Sequence, residues 1–161
     1  AEKLVLAHGG ISLRLATVFG MSPRMRLDLL VNDFTFRAVR DRFLVVFEGH
    51  FRRNYIHIRD VAAAFVHAMA HFESMRGEAY NAGLSDANLT KLELCAKIRE
   101  QVPDFLYLEA PVGEDPDKRD YLVSNAKIER TGFAPRHSLE DGIAEIIRGY
   151  PIISQGPYGN V

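Results

Sequence analysis

Arg53-Asn54-Tyr55-Ile56-His57-Ile58-Arg59-Asp60-Val61 reads as a short strand led by an arginine and running straight into an acidic helix start. Extended, alternating residues give way to a run rich in alanine, which predicts a strand over 54–58 and a closely packing helix over about 60–72. Asp60 stands where a carboxylate caps free backbone N–H groups. The arginine sits beside a rigid strand, which limits where its guanidinium can point.

Outward from this stretch, period-2 and period-3.6 segments keep alternating, the mark of an α/β chain. Upstream, Ala1 to Ala7 reads as the last turns of a helix ended by Gly9-Gly10, and Ile11 to Val18 as a buried strand stopping at Phe19-Gly20. A loop over Met21 to Arg26 holds Pro23. Leu27, Leu30, Val31, Phe34 and Ala38 then recur at helical spacing, and Phe43 to Phe47 is a strand candidate. Downstream, Ala79 to Ala82 is a brief strand, and Thr90-Lys91-Leu92-Glu93 is a capping box for a helix to Gln101. Phe105 to Glu109 is a further strand, Gly113 to Asp120 a charged loop, and Ser138 to Asp141 a second cap-like start for a helix to Arg148. The tail from Pro151 reads as an irregular strap.

A chain of 161 residues with a formal charge of −1 is long enough for one core and asks for neither nucleic acid nor a membrane surface. The longest apolar run, Val61 to Ala70, is about half of the roughly 20 residues a spanning helix needs. Cys95 is the sole cysteine and lies among Leu92, Leu94 and Ile98, as a buried, inert thiol would. A reducing, cytoplasmic setting is the expectation.

Charge is uneven along the chain. From Arg14 to Arg59 there are nine arginines and no lysine, against four acidic residues. A planar guanidinium holds a phosphate or carboxylate through two parallel hydrogen bonds, so the bias suits a bound oxyanion; a solvated basic face is the alternative. Arg53 is the first candidate, Arg119 the second. Asn32, near a helix start where N–H groups favour anions, is the third. The three make a diphosphate clamp if the fold brings them together. His67 and His71 have a chelating spacing, but HExxH and cysteine clusters are missing and no metal is expected. His57 reads as a packed or hydrogen-bonded histidine, and no GxSxG serine is present.

Several of these pieces, taken in order, resemble a known family. They are Leu13 to Gly20, Val31-Asn32-Asp33-Phe34, Arg53 to Val61, Tyr80-Asn81-Ala82-Gly83, and Lys127 to Phe133 with Pro135 and Ser138 to Gly142. The chain is similar to the C-terminal half of extended short-chain dehydrogenases/reductases, the NAD-dependent epimerase/dehydratase family. The resemblance implies an α/β fold: the last strands of a Rossmann-type parallel sheet, 1–20, plus a small substrate-binding domain, mainly 21–161, with 54–72 and 77–83 returning to the core. It also implies NAD or NADP as cofactor, a nucleotide-activated sugar as substrate, and a homodimer.

Carried over by position, Arg53 and Arg119 resemble arginines gripping the nucleotide-sugar diphosphate, and Asn32 an asparagine that also touches it. Thr17, Val18 and Phe19 resemble the strand end closing over the nicotinamide. Ser124 departs from the aspartate many relatives carry. The family's Gly-rich turn and Tyr-x-x-x-Lys pair do not occur in these 161 residues, so no catalytic residue is assigned. Ala1-Glu2-Lys3 resembles helix just past the catalytic lysine, which suggests a truncated chain. Intact, such a protein is a nucleotide-sugar epimerase, dehydratase or dehydrogenase; this stretch alone is expected to be inactive. Two other readings stand beside it, a catalytically dead binding or regulatory module and an arginine-rich interaction domain.

Overall fold

The computed structural model describes residues 1–23, 25–111, 113 and 119–153. Its elements in chain order are α1 (Glu2–Ala7), β1 (Ser12–Leu15), β2 (Thr17–Phe19), α2 (Leu30–Arg40), β3 (Phe43–Val46), β4 (Arg52–His57) and α3 (Ile58–Ala70). They continue with α4 (Phe72–Met75), β5 (Ala79–Ala82), β6 (Asn88–Thr90), α5 (Lys91–Gln101), β7 (Leu106–Glu109), α6 (Ala126–Glu129) and α7 (Leu139–Ile153). The chain is mixed α/β, as its periodicity predicts.

The strand expected over 11–18 is two strands because its partner changes. β1 runs parallel to β5, with Ser12 opposite Ala79 and Leu15 opposite Ala82, and β2 runs parallel to β4, with Thr17 opposite Tyr55. Ala16 is the switch, its N–H reaching Ala82 O at 2.9 Å. On the far side of β4, β6 pairs antiparallel, Arg53 lying opposite Leu89. β3 and β7 form a separate parallel pair.

β4 is therefore a central strand, covered on both faces as parallel strands generally are. Tyr55 enters a core shared with Phe34, Leu94, Ile98, Ile143 and Ile146, while Ile56 joins Val61, Ala64, Tyr80 and Ile128 on the other face. Cys95 is fully buried in the Tyr55 core, and burial pushes its thiol up to about 12.

Four local expectations are corrected. α3 begins at Ile58, and its cap is the His57 ring, which accepts from Arg59 N–H; Asp60 is not the cap. Its carboxylate instead takes the N–H groups of Arg136 and His137, both at 3.0 Å, pinning the turn before α7 to α3. α2 starts at Leu30 rather than Leu27. α7 passes Arg148 and carries Pro151 inside it, so the start of the expected strap is helix; the rest of that expectation lies outside the described residues. Most of the expected charged loop, residues 114–118, also lies outside that set.

Candidate functional site

Arg53 occupies the central strand with 1% of its surface exposed. Its Nη1 donates to Arg52 O at 2.9 Å, and its guanidinium carbon lies 5.5 Å from the centre of the Tyr121 ring. An aromatic face beside a guanidinium helps fix its plane.

Tyr121 and Arg119 reach this strand from far away in sequence because three short side chains stitch their segment down. Arg52 N–H donates to Asp120 Oδ1 at 2.8 Å. Asn88 clamps Val123 through both backbone groups, at 3.0 and 2.9 Å, and Asn81 Nδ2 donates to Ser124 O at 3.1 Å. The segment thus runs along β4, β6 and β5 in turn. The result is a cleft of about 400 Å³ lined by Thr17, Val18, Arg26, Leu29, Arg53, Arg119 and Tyr121, among others.

Arg53, Arg119, Thr17 and Val18 therefore share one cleft. Asn32 and Phe19 line the smaller hollow beside it, of about 90 Å³, with Val18, Gly20 and Met25. The Asn32 carboxamide is buried and engaged: Oδ1 accepts from Gly20 N–H at 3.1 Å, and Nδ2 donates to Arg26 O at 2.9 Å. It ties the end of β2 to the loop before α2. The geometry makes Asn32 a builder of the cleft wall.

Behind that wall lies a cluster of titratable groups. Arg59 N–H donates to His57 Nδ1, which leaves Nε2–H to donate to Glu145 Oε2 at 2.9 Å; Arg59 Nη2 holds the other Glu145 oxygen at 2.6 Å. Burial pushes the His57 pKa below its ordinary value, against the opposing hydrogen bond that its Nε2–H gives to Glu145. The ring is stacked on His137 at 4.6 Å and meets Phe19 edge-on at 5.4 Å. His137 Nδ1 is 3.0 Å from Asp60 Oδ1. Burial raises the Asp60 pKa, but three hydrogen bonds, from Arg136 N–H and from the His137 ring and N–H, outweigh it and hold the carboxyl below its usual range. His57 is thus the hydrogen-bonded, packed histidine its strand position suggests.

A second, larger cleft of about 820 Å³ also has Arg53 in its wall, with β3, Arg37 and Lys91. Lys91 is 1% exposed, and its Nζ donates to Phe47 O at 2.8 Å. In the sequence Lys91 reads only as part of a capping box. The signal was a cation at the first position of a helix, where the dipole disfavours it.

Five of the nine arginines between Arg14 and Arg59 form ion pairs with carboxylates. Arg14 pairs with Glu2, Arg26 with Asp28, Arg37 with Asp33, Arg40 with Asp41 and Arg59 with Glu145. The His67 and His71 rings stack at 4.1 Å, with His67 Nε2 against Thr131 Oγ1 and His71 Nδ1 against His67 O.

Parallel strands with helices on both faces, and a cleft at the strand that carries Arg53, define a Rossmann-type α/β protein. Residues 4–83 match the model of the NAD dependent epimerase/dehydratase family, and the chain belongs to that family. It is 30% identical over 148 residues to the low-salt glycan biosynthesis protein Agl12 of Haloferax volcanii, covering 89% of this chain and 46% of that protein. The structure of UDP-glucose 4-epimerase from Thermotoga maritima, solved with UDP-glucose, superposes with a TM-score of 0.74 at 25% identity, over 91% of this chain and 47% of that one. The dTDP-glucose 4,6-dehydratase of Bacillus anthracis, in complex with NAD, superposes with a TM-score of 0.72 at 21% identity, over 94% and 49%. The chain thus spans about half the length of the relatives it matches. Among the described residues, no helix is long and apolar enough to cross a membrane.

Proposed function

We propose that this chain is the nucleotide-sugar-binding part of an NAD- or NADP-dependent epimerase, dehydratase or dehydrogenase that works by hydride transfer at a sugar carbon. One observation carries the reading: Arg53 and Arg119, drawn from separate parts of the sequence, line a single cleft together with Thr17 and Val18. Two guanidinium groups suit a diphosphate, because each offers paired donors that match phosphate oxygens. On this reading residues 1–20, 54–72 and 77–83 belong to the cofactor-side core, and most of the remainder to substrate binding. The intact protein is cytoplasmic and a homodimer.

The residues present fit one end of the cofactor. Thr17, Val18 and Phe19 stand at the end of a strand in a parallel pair, where α/β sheets place their ligands. The nicotinamide supplies hydride acceptance and return when bound. Thr17 and Val18 would orient the ring from the cleft side, and Phe19, held by His57 and Gly142, would keep the strand end in place. Arg53 and Arg119 would hold the diphosphate so that the sugar faces that ring; such positioning contributes several kcal/mol to a barrier.

Calorimetric titration of the 161-residue protein with UDP-glucose and with dTDP-glucose tests the reading. Saturable binding is expected, weakened at least about tenfold in Arg119→Ala, the loss of roughly one charge-assisted hydrogen bond. Arg53→Lys, which keeps the charge and loses the fork, should weaken it too. Absence of saturable binding, or unchanged affinity in both folded variants, would sink it. Binding to polyanions alone, steeply dependent on salt, would favour an interaction domain.

A further inference from the structure

β3 and β7 form a two-stranded parallel sheet with one face in the core. Leu44 and Val46 of β3, and Phe105 just before β7, pack inward with Phe34, Ala38 and Leu94 of α2 and α5. Side chains alternate along a strand, so the residues between these point outward. That outward set is apolar. Phe43 lies opposite Leu106 and Val45 opposite Leu108, and the four are 44%, 64%, 42% and 63% exposed. Single exposed apolar residues are ordinary on a surface, but two cross-strand pairs side by side make a continuous patch of the kind that marks an interaction site. Phe43 and Val45 also border the larger cleft, whereas Leu106 and Leu108 stand clear of it. A ligand in that cleft would leave both leucines bare.

We propose that this face docks a second copy of the chain, the two sheets packing across a twofold axis that runs along the strands. Such an axis sets Phe43 over the partner's Leu106 and Val45 over the partner's Leu108, and the symmetry repeats each contact. Charge selects the same arrangement. Arg42 and Asp104 are both exposed at one end of the face, beside different strands, and Arg42 is fixed there by the hydrogen bond that its carbonyl accepts from Leu106 N–H at 2.9 Å. An axis along the strands brings Arg42 across from the partner's Asp104, twice over. An axis across the strands would instead set Asp104 toward the partner's Glu109, like charge against like. At the other end Glu109 already accepts from Gly49 N–H at 2.9 Å. An apolar centre with complementary charges at its rim is the usual build of a protein interface. The inference rests on the homodimer part of the reading above and names its contact face. It is independent of the substrate, since none of the four residues lines the cleft of Arg53 and Arg119.

Sedimentation velocity of the 161-residue protein over a wide range of concentration tests the proposal. A monomer–dimer equilibrium is expected, its dissociation constant raised at least about tenfold by Leu108→Glu, which sets a charge in the apolar centre. Leu108 is exposed, so that variant keeps its fold, as circular dichroism verifies. Met69→Glu, on α3 and 68% exposed in the wild type, should leave the equilibrium unchanged. Arg42→Asp and Asp104→Arg should each weaken association, and the double variant, which restores opposite charges across the axis, should recover it. A monomer at every concentration would overturn the proposal together with the homodimer. A dimer indifferent to Leu108→Glu, or lost in Met69→Glu, would keep the homodimer and remove this face from it. A double variant no better than the single ones would overturn the axis along the strands. Sedimentation needs no nucleotide, so a monomer that still binds UDP-glucose would leave the substrate reading standing.

Discussion

At the scale of single residues, His57 shows how a strand end is held. Its ring touches Phe19, and a Cβ on Gly20 would come within 2.6 Å of its Nε2, while one on Gly142 would strike Phe19 at 2.1 Å. Gly20, with φ +116, and Gly142 let the ring, the strand end and α7 close on one another. That closeness is also what keeps the imidazole neutral. Its folded pKa lies below the ordinary 6.5, so as pH falls beneath that value the unfolded chain takes up a proton that the folded one does not. Stability from this residue is therefore complete above about 6.5 and is lost as pH falls toward the lowered folded value. The groups facing it are Glu145, His137, Arg59 and, through His137, Asp60. Asp60 is held low and titrates in a more acid range, and His67, also lowered by burial, contributes equally with or without His57. Urea midpoints between pH 7 and pH 5 should fall in the wild type and fall less in His57→Gln. Equal slopes would mean that the ring is not held neutral by its burial.

At the scale of elements, α5 starts on the reciprocal pair its sequence announces. Thr90 Oγ1 accepts from Glu93 N–H at 3.1 Å, and Glu93 Oε2 accepts from Thr90 N–H at 2.7 Å. Thr90→Ala should cost about 1 kcal/mol, seen as a lower urea midpoint with an unchanged m-value; no shift would show that β6 holds the helix start without the cap. Such local signals explain what was legible in the sequence. Period and capping placed α2, α3, α5 and α7, and alternation placed β3, β4, β5 and β7, because each signature is written in a few adjacent residues. The break at Ala16, the short strand β6 and the real partner of Asp60 were not legible, since each is decided by a segment distant in sequence. The site divides the same way. Arg53 was readable from its strand, whereas its nearness to Arg119 depends on Asp120, Asn88 and Asn81, whose contacts no spacing rule reports. Asn32 was rightly placed near a helix start, yet its carboxamide serves Gly20 and Arg26.

At the scale of the whole molecule, the distribution of chemistry predicts binding without turnover. On the proposed reading, every candidate residue in the cleft holds or orients: two arginines for phosphate, a threonine and a valine at a strand end, a tyrosine beside a guanidinium. Sugar oxidation needs in addition a nicotinamide seated by its pyrophosphate and a group to take the hydroxyl proton. The 161 residues contain no G-x-G-x-x-G turn for the first and no Tyr-x-x-x-Lys pair for the second. The ionisable residues nearest the strand end do not substitute. His57 spends both ring nitrogens on Arg59 and Glu145 and lies 1% exposed behind Phe19, and burial drives the Tyr55 hydroxyl well above the usual tyrosine range. Incubated with NAD or NADP and UDP-glucose or dTDP-glucose, the 161-residue protein should give no change in absorbance at the reduced-nicotinamide band and no new sugar by chromatography, even where calorimetry shows that the sugar nucleotide binds. Turnover abolished by Arg53→Lys would place a complete active site within these residues, and the division between a binding part and a reacting part would have to be abandoned.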